Sequence, residues 1–181
     1  MRRLILFAAL VSLARPAMAA DSLKVVVGQQ APWVAALDPD CNALSLGMLL
    51  EKHGTRGAVV QVWASWCKAC VAELKELAAG QARLRKAGIG VLLVNVMDTP
   101  EGMEKVVHDL KLQGLPLIRD ATGAVVDALG LSKDEKLALP LSFAVNAKNV
   151  VKLVLHEKVG DYVARMLAAL EHEPRRGEPG K

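Results

Sequence analysis

Apolar positions along the chain follow two periods, and the alternation between them predicts the architecture. "AVVQVWA" (58–64) and "IGVLLVNVM" (89–97) are short, Val-rich, nearly continuous apolar runs, the pattern of strands covered on both faces. Between them, from Cys70 to Lys86, Val71, Leu74, Leu77 and Leu84 recur at helical spacing, and Gly88 lies beyond the end. Thr99-Pro100 opens a second helix with Pro at its first position. Met103, Val106, Val107 and Leu110 carry its apolar face, and Gly114 closes it. "LPLIR" (115–119) reads as a short strand and "GAVVDALGL" (123–131) as a short helix. "LSFAV" and "VVKLVLH" flank the turn "NAKN" as a hairpin, and "DYVARMLAALEH" (161–172) is an amphipathic helix.

From Gly57 the order is therefore βαβα, a strand with a short helix, then ββα. Alternation of strand and helix predicts parallel strands, and the hairpin adds an antiparallel part. The expectation is an α/β fold with a mixed sheet and helices on both faces. Residues 21–56 are less legible: "LSLGMLLEKHG" (44–54) has a helical pattern and "LKVVVG" (23–28) that of an extra strand. No internal repeat occurs. One domain over 20–173 is expected, followed by a polar, Pro- and Gly-rich tail (174–181) expected to be disordered.

The first residues change the picture of charge and compartment. "MRR", the apolar run "LILFAALVSLA" and Ala17-Met18-Ala19 have the three parts of a secretory signal peptide over residues 1–19. An uncleaved N-terminal anchor is the alternative. Removing the leader removes Arg2, Arg3 and Arg15, so 20 basic side chains face 19 acidic ones. The basic character belongs mostly to the leader, and no basic stripe interleaved with aromatics suggests nucleic acid. No later apolar run is long enough to span a bilayer. The expected location is periplasmic, an oxidising compartment where disulfides persist. Three cysteines are nevertheless too few, and odd in number, for a disulfide-stapled scaffold.

Two of the three stand in "VWASWCKAC" (62–70), where Cys67 follows a buried strand and opens a helix with Cys70 one turn on. Free N–H groups and the helix dipole at that position favour a thiolate, the reactive form, and Lys68 adds a positive charge. This spacing suits an attacking and a resolving thiol. A zinc site needs a second ligand pair, and His53, His108, His156 and His172 are scattered. Haem attachment needs His after the second cysteine, where Val71 stands. A permanent structural disulfide gains little from so small a loop. No metal and no organic cofactor are expected. Cys41 is the spare thiol, read as an unreactive half-buried residue or as a partner in an intermolecular disulfide.

"VWASWCKACVAELKEL", in its βαβ and export context, resembles the thioredoxin-fold proteins, and most closely the extracytoplasmic thiol–disulfide oxidoreductases of the TlpA/ResA type. The resemblance covers roughly Gly57–Leu170, with weaker similarity over 31–50. It implies a thioredoxin-like three-layer α/β/α fold with a mixed central sheet. In "LALPLSFAV" it implies that Pro140 is a cis-proline beside the dithiol and that the Leu139 backbone meets substrate. It makes Glu73, three residues after Cys70, a proton-exchanging acid. Trp66 shields the dithiol and offers peptides a flat apolar surface, whereas Trp63 is read as core. The sequence departs from the pattern at Gln61, where thioredoxin itself has a titratable Asp, at Ala69, where Pro is common, and in the charged stretch "SKDEKLAL" before Pro140.

The function expected is disulfide reduction in exported proteins, apocytochrome c for example, by a monomer kept reduced by a membrane electron donor. A dithiol oxidase would use the same residues, and a Cu(I) chaperone would use the same thiolates.

Overall fold

The structure, a computed structural model, describes residues 23–133, 136–157 and 160–177. The expected leader lies outside these residues. Seven strands form one mixed sheet in the order β2-β1-β5-β4-β3-β8-β9. They are β1 (Ala35–Leu37), β2 (Ala43–Ser45), β3 (Gly57–Trp63), β4 (Ile89–Val96), β5 (Leu117–Asp120), β8 (Leu141–Asn146) and β9 (Val151–Leu155). A separate small hairpin pairs β6 (Ser132–Lys133) with β7 (Lys136–Leu137). The strands β3, β4 and β5 run parallel, and β8 is antiparallel to β3 and to β9.

Helices cover both faces, which explains the continuous apolar reading of β3: all seven of its residues are buried. Ala58, Val60 and Val62 point into one cluster with α1 (Leu46–Leu50) and α4 (Ala124–Leu129). Val59 and Trp63 point into the other, with α2 (Lys68–Lys86), α3 (Pro100–Asp109) and α5 (Tyr162–Leu170). The helices α2 and α5 approach closely at Gly80, where a Cβ would stand 2.6 Å from Val163 Cγ2. A mid-helix glycine ordinarily costs stability, and here it makes room for that contact.

Several expectations are corrected. Residues 23–28 form no strand: Gln29 N–H donates to Val26 O (3.1 Å), Gly28 turns the chain with φ +86°, and only Gln30 bridges to Val150. The helix expected over 44–54 spans only Leu46–Leu50, because the Ser45 Oγ caps it by accepting from Met48 N–H, and Leu44 belongs to a strand. The α3 helix stops at Asp109, because Lys111 adopts a left-handed conformation (φ +55°) and Leu112 N–H returns to Val107 O. In the tail expected to be disordered, residues 174–177 pack instead. Arg176 N–H donates to Thr55 O (2.7 Å), and Gly54 N–H donates to Arg176 O (3.0 Å).

Candidate active site

The dithiol sits where β3 leaves the sheet. After Trp63 the chain passes Ala64, Ser65 and Trp66, and Cys67 becomes the N-cap of α2. Its backbone is extended, and its Sγ accepts the Cys70 N–H at 3.2 Å. Cys67 and Cys70 form a disulfide. Their surroundings differ: Cys67 is 9% exposed and Cys70 fully buried, while Trp66 is 56% exposed. Lys68, the first helical residue, is exposed. The less buried cysteine of the pair is therefore the one at the positive end of the helix.

Behind Cys70 lies a polar network that is buried throughout. Glu73, one helical turn on, is 1% exposed. Gln61 on β3 donates through Nε2 to Glu73 Oε2 (3.0 Å). Ser142, paired with Gln61 across β3 and β8, lies 2.7 Å from Gln61 Oε1 and 3.2 Å from Glu73 Oε2. The Tyr162 hydroxyl donates to Gln61 Oε1 at 2.5 Å. Glu73 Oε1 has no hydrogen-bond partner among the described residues. Burial pushes the Glu73 carboxyl above the usual range; the Gln61 and Ser142 hydrogen bonds oppose this, and the nearby Glu76 charge adds to it. Burial likewise holds the Tyr162 phenol far above its ordinary value. A buried carboxyl of raised pKa, one helical turn from Cys70, is a group able to exchange a proton with a thiol.

A second polar group fixes the loop in front of the dithiol. Asp98 accepts from Ser65 N–H (2.5 Å), Ser65 Oγ (2.7 Å), Asn95 Nδ2 (2.9 Å) and Thr99 N–H (2.9 Å). Burial raises its pKa, but these donors outweigh that and leave it lowered. The indole Nε1 of Trp66 donates to Met97 O at 2.9 Å. Beside the indole, a cleft of about 480 Å³ is lined by Met97, Thr99, Arg119 and Thr122.

The Leu139–Pro140 bond is cis. Pro140 immediately precedes Leu141, which pairs with Val62 near the end of β3. Leu139 packs against the cluster that contains both redox cysteines. The structure thus brings Cys67, Cys70, Trp66, Lys68, Glu73, Leu139 and Pro140 to one end of the sheet. Cys41 is not among them. It is exposed, rather than half-buried, in the turn between β1 and β2. Sequence reasoning missed Ser142, Tyr162, Ser65, Asn95 and Asp98, and it treated Gln61 only as a lost acid. The available signal was a lone Gln and a lone Ser inside otherwise apolar strands.

A redox dithiol at the start of a helix, on this sheet, defines a thiol–disulfide oxidoreductase of the thioredoxin type. The chain belongs to the AhpC/TSA family, which matches residues 27–154. It is 25% identical over 135 residues to a thiol–disulfide oxidoreductase ResA of Geobacillus thermodenitrificans, covering 75% of this chain and 72% of that one. It is 22% identical over 140 residues to the ResA of Bacillus thuringiensis, covering 77% and 75%. Among solved structures, a putative thiol:disulfide interchange protein DsbE from Chlorobium tepidum superposes with a TM-score of 0.66 at 21% identity, covering 81% of this chain and 99% of that one.

Proposed function

We propose that the protein is an extracytoplasmic reductase of disulfides in exported proteins, apocytochrome c among the candidate substrates. The observation that carries this reading is the asymmetry of the pair: Cys67 at the helix start keeps some exposure, whereas Cys70 is fully buried, one helical turn before Glu73. In the reduced enzyme the Cys67 thiolate attacks a substrate disulfide. A mixed disulfide forms and one substrate thiolate leaves. Cys70, its proton taken by the Glu73 carboxylate, attacks Cys67 Sγ and expels the second substrate thiolate, which is protonated. Two electrons pass to substrate and the Cys67–Cys70 disulfide forms. A dithiol donor in the membrane reverses that last change.

The exposed Trp66 ring supplies an apolar platform for the peptide, and the cleft beside it, lined by Asp98, Thr99, Arg119, Asp120 and Thr122, offers polar contacts. Leu139 packs against the cluster that holds the cysteines, Pro140 leads into β8 beside the end of β3, and Lys68 adds positive charge near the attacking thiolate. The signal-peptide pattern in the sequence of residues 1–19 supports export.

The test is insulin reduction driven by dithiothreitol, together with the reduction potential of the dithiol. Wild-type turnover that vanishes in Cys67→Ser, at a potential near or below that of thioredoxin, about −270 mV, supports a reductase. A potential near −120 mV makes the protein an oxidase and overturns the direction.

A further inference from the structure

The end of the molecule opposite the dithiol gathers basic side chains from four segments of the chain. Arg56 precedes β3, Arg83, Arg85 and Lys86 occupy the last turn of α2, Lys148 lies in the β8–β9 turn, and Arg176 lies in the tail. Backbone hydrogen bonds hold these segments together. Arg56 N–H donates to Gly88 O (2.8 Å), Ala147 N–H donates to Arg56 O (3.0 Å), and Arg176 N–H donates to Thr55 O (2.7 Å).

The charges are only partly cancelled. Arg56 Nη1 donates to the Glu171 carbonyl and Arg176 Nη2 to the Ala147 carbonyl. The acids beside them are Glu171, which is exposed, and Glu173, which pairs with Lys152 (2.6 Å) and also feels the Lys148 charge, so basic groups still outnumber acids at this end. Basic residues in the last turn of a helix complement its dipole, and that alone accounts for Arg83, Arg85 and Lys86. It does not account for Arg56, Lys148 and Arg176, which come from other elements. The dithiol end shows no such excess: Asp98, Glu101 and Asp120 stand there together with Lys68 and Arg119.

We propose that this basic end docks on anionic phospholipid headgroups. Protein interfaces are built around buried apolar and aromatic anchors. None of the large exposed hydrophobics among the described residues belongs to the four basic segments. A patch of charge without such anchors suits a headgroup layer, where each nearby Lys or Arg strengthens adsorption. With β3 seven residues long at about 3.3 Å per residue, docking would hold the dithiol some 20 Å above the headgroups, facing away from them.

The proposal rests on the extracytoplasmic reading only for which leaflet is met. The test is sedimentation of the exported, processed protein with phosphatidylcholine vesicles, with and without phosphatidylglycerol, at low and high salt. Wild type is expected to bind only the anionic vesicles and to be released by salt. Arg83→Gln/Arg85→Gln/Lys86→Gln is expected to weaken partition about tenfold or more, and Lys148→Gln/Arg176→Gln severalfold. Both variants should keep insulin turnover, which shows that they fold. Cys67→Ser should bind like wild type, so loss of the redox reading leaves this one standing. No preference for anionic vesicles, or a partition that neither variant weakens, overturns the proposal. Self-association without vesicles that both variants abolish would assign the patch to an acidic surface of a second copy, and would equally overturn it.

Discussion

Glu73 Oε2 accepts the amide of Gln61 at 3.0 Å, while Glu73 Oε1 is buried with no hydrogen-bond partner among the described residues. The two side chains reach each other from α2 and β3, across the layer that holds Cys70. With its folded pKa raised, Glu73 binds its proton more tightly in the folded than in the unfolded chain. Its effect on stability is therefore neutral at low pH and becomes unfavourable as pH rises above the unfolded value of about 4.3.

Glu73→Gln removes the buried charge and keeps an acceptor for Gln61, so the variant should gain stability relative to wild type as pH rises from about 4 to about 8. The gain should disappear near pH 4. Thermal unfolding against pH checks both. The same variant should slow turnover and flatten its pH profile. A profile unchanged from wild type would make Glu73 a purely structural residue.

The difference in burial between the two cysteines predicts an order of reaction. In the reduced protein, iodoacetamide should alkylate Cys67 well before Cys70, since the less buried thiol is the one at the helix start. Cys70→Ser should accumulate mixed disulfides with substrates in the native host, and Cys67→Ser should accumulate none. Adding Cys41→Ser to the first variant should leave the bands on a non-reducing gel unchanged. Trapped proteins bearing C-x-x-C-H haem sites would name cytochrome maturation as the pathway served.

Asp98 should matter to the site although it lies outside the dithiol motif. Its carboxylate holds the Ser65 backbone and hydroxyl, two residues before Cys67. Asp98→Ala is expected to cost about 1–3 kcal/mol at pH 7 and to lower turnover severalfold. Because its folded pKa is lowered, the charged form supplies stability above the unfolded value, about 3.9, and loses it as pH falls through the folded value. Wild type and variant should therefore converge in acid, as urea midpoints measured at pH 7 and pH 3 will show.

Truncation before Glu173 tests the packed tail. It removes the partner of Lys152 and Asn146 and the Arg176–Thr55 hydrogen bond. Lys152 and Glu173 are partly exposed, so their pair is worth no more than about 1 kcal/mol. A loss near 2 kcal/mol in all, or a fall of some 4–8 °C in Tm, is expected with insulin turnover intact. An unchanged Tm would show that these contacts contribute nothing.

The parts of the fold legible in the sequence were those whose pattern is local. The buried runs at 58–64 and 89–97, the helix behind Cys67 and the 141–156 hairpin each announce themselves by period. The strands β1 and β2 did not, because three residues each, partly exposed, carry no period to read. The dithiol was legible because its spacing is its chemistry. The network behind it was not: Ser142 and Tyr162 meet Gln61 from 81 and 101 residues away. Nor was the tail, whose polar composition hides hydrogen bonds to the loop before β3.

Tyr162 is the chain's single tyrosine, and its hydroxyl is fixed on Gln61 at the centre of the buried network. Its ionisation is thereby tied to the opening of the core. In strong base the ultraviolet signal of phenolate should stay silent while the native fold persists, then appear together with loss of circular dichroism. The protein thus carries its own optical clock: the rate at which phenolate appears after a jump to alkaline pH would time the detachment of α5 from the sheet, with no label added.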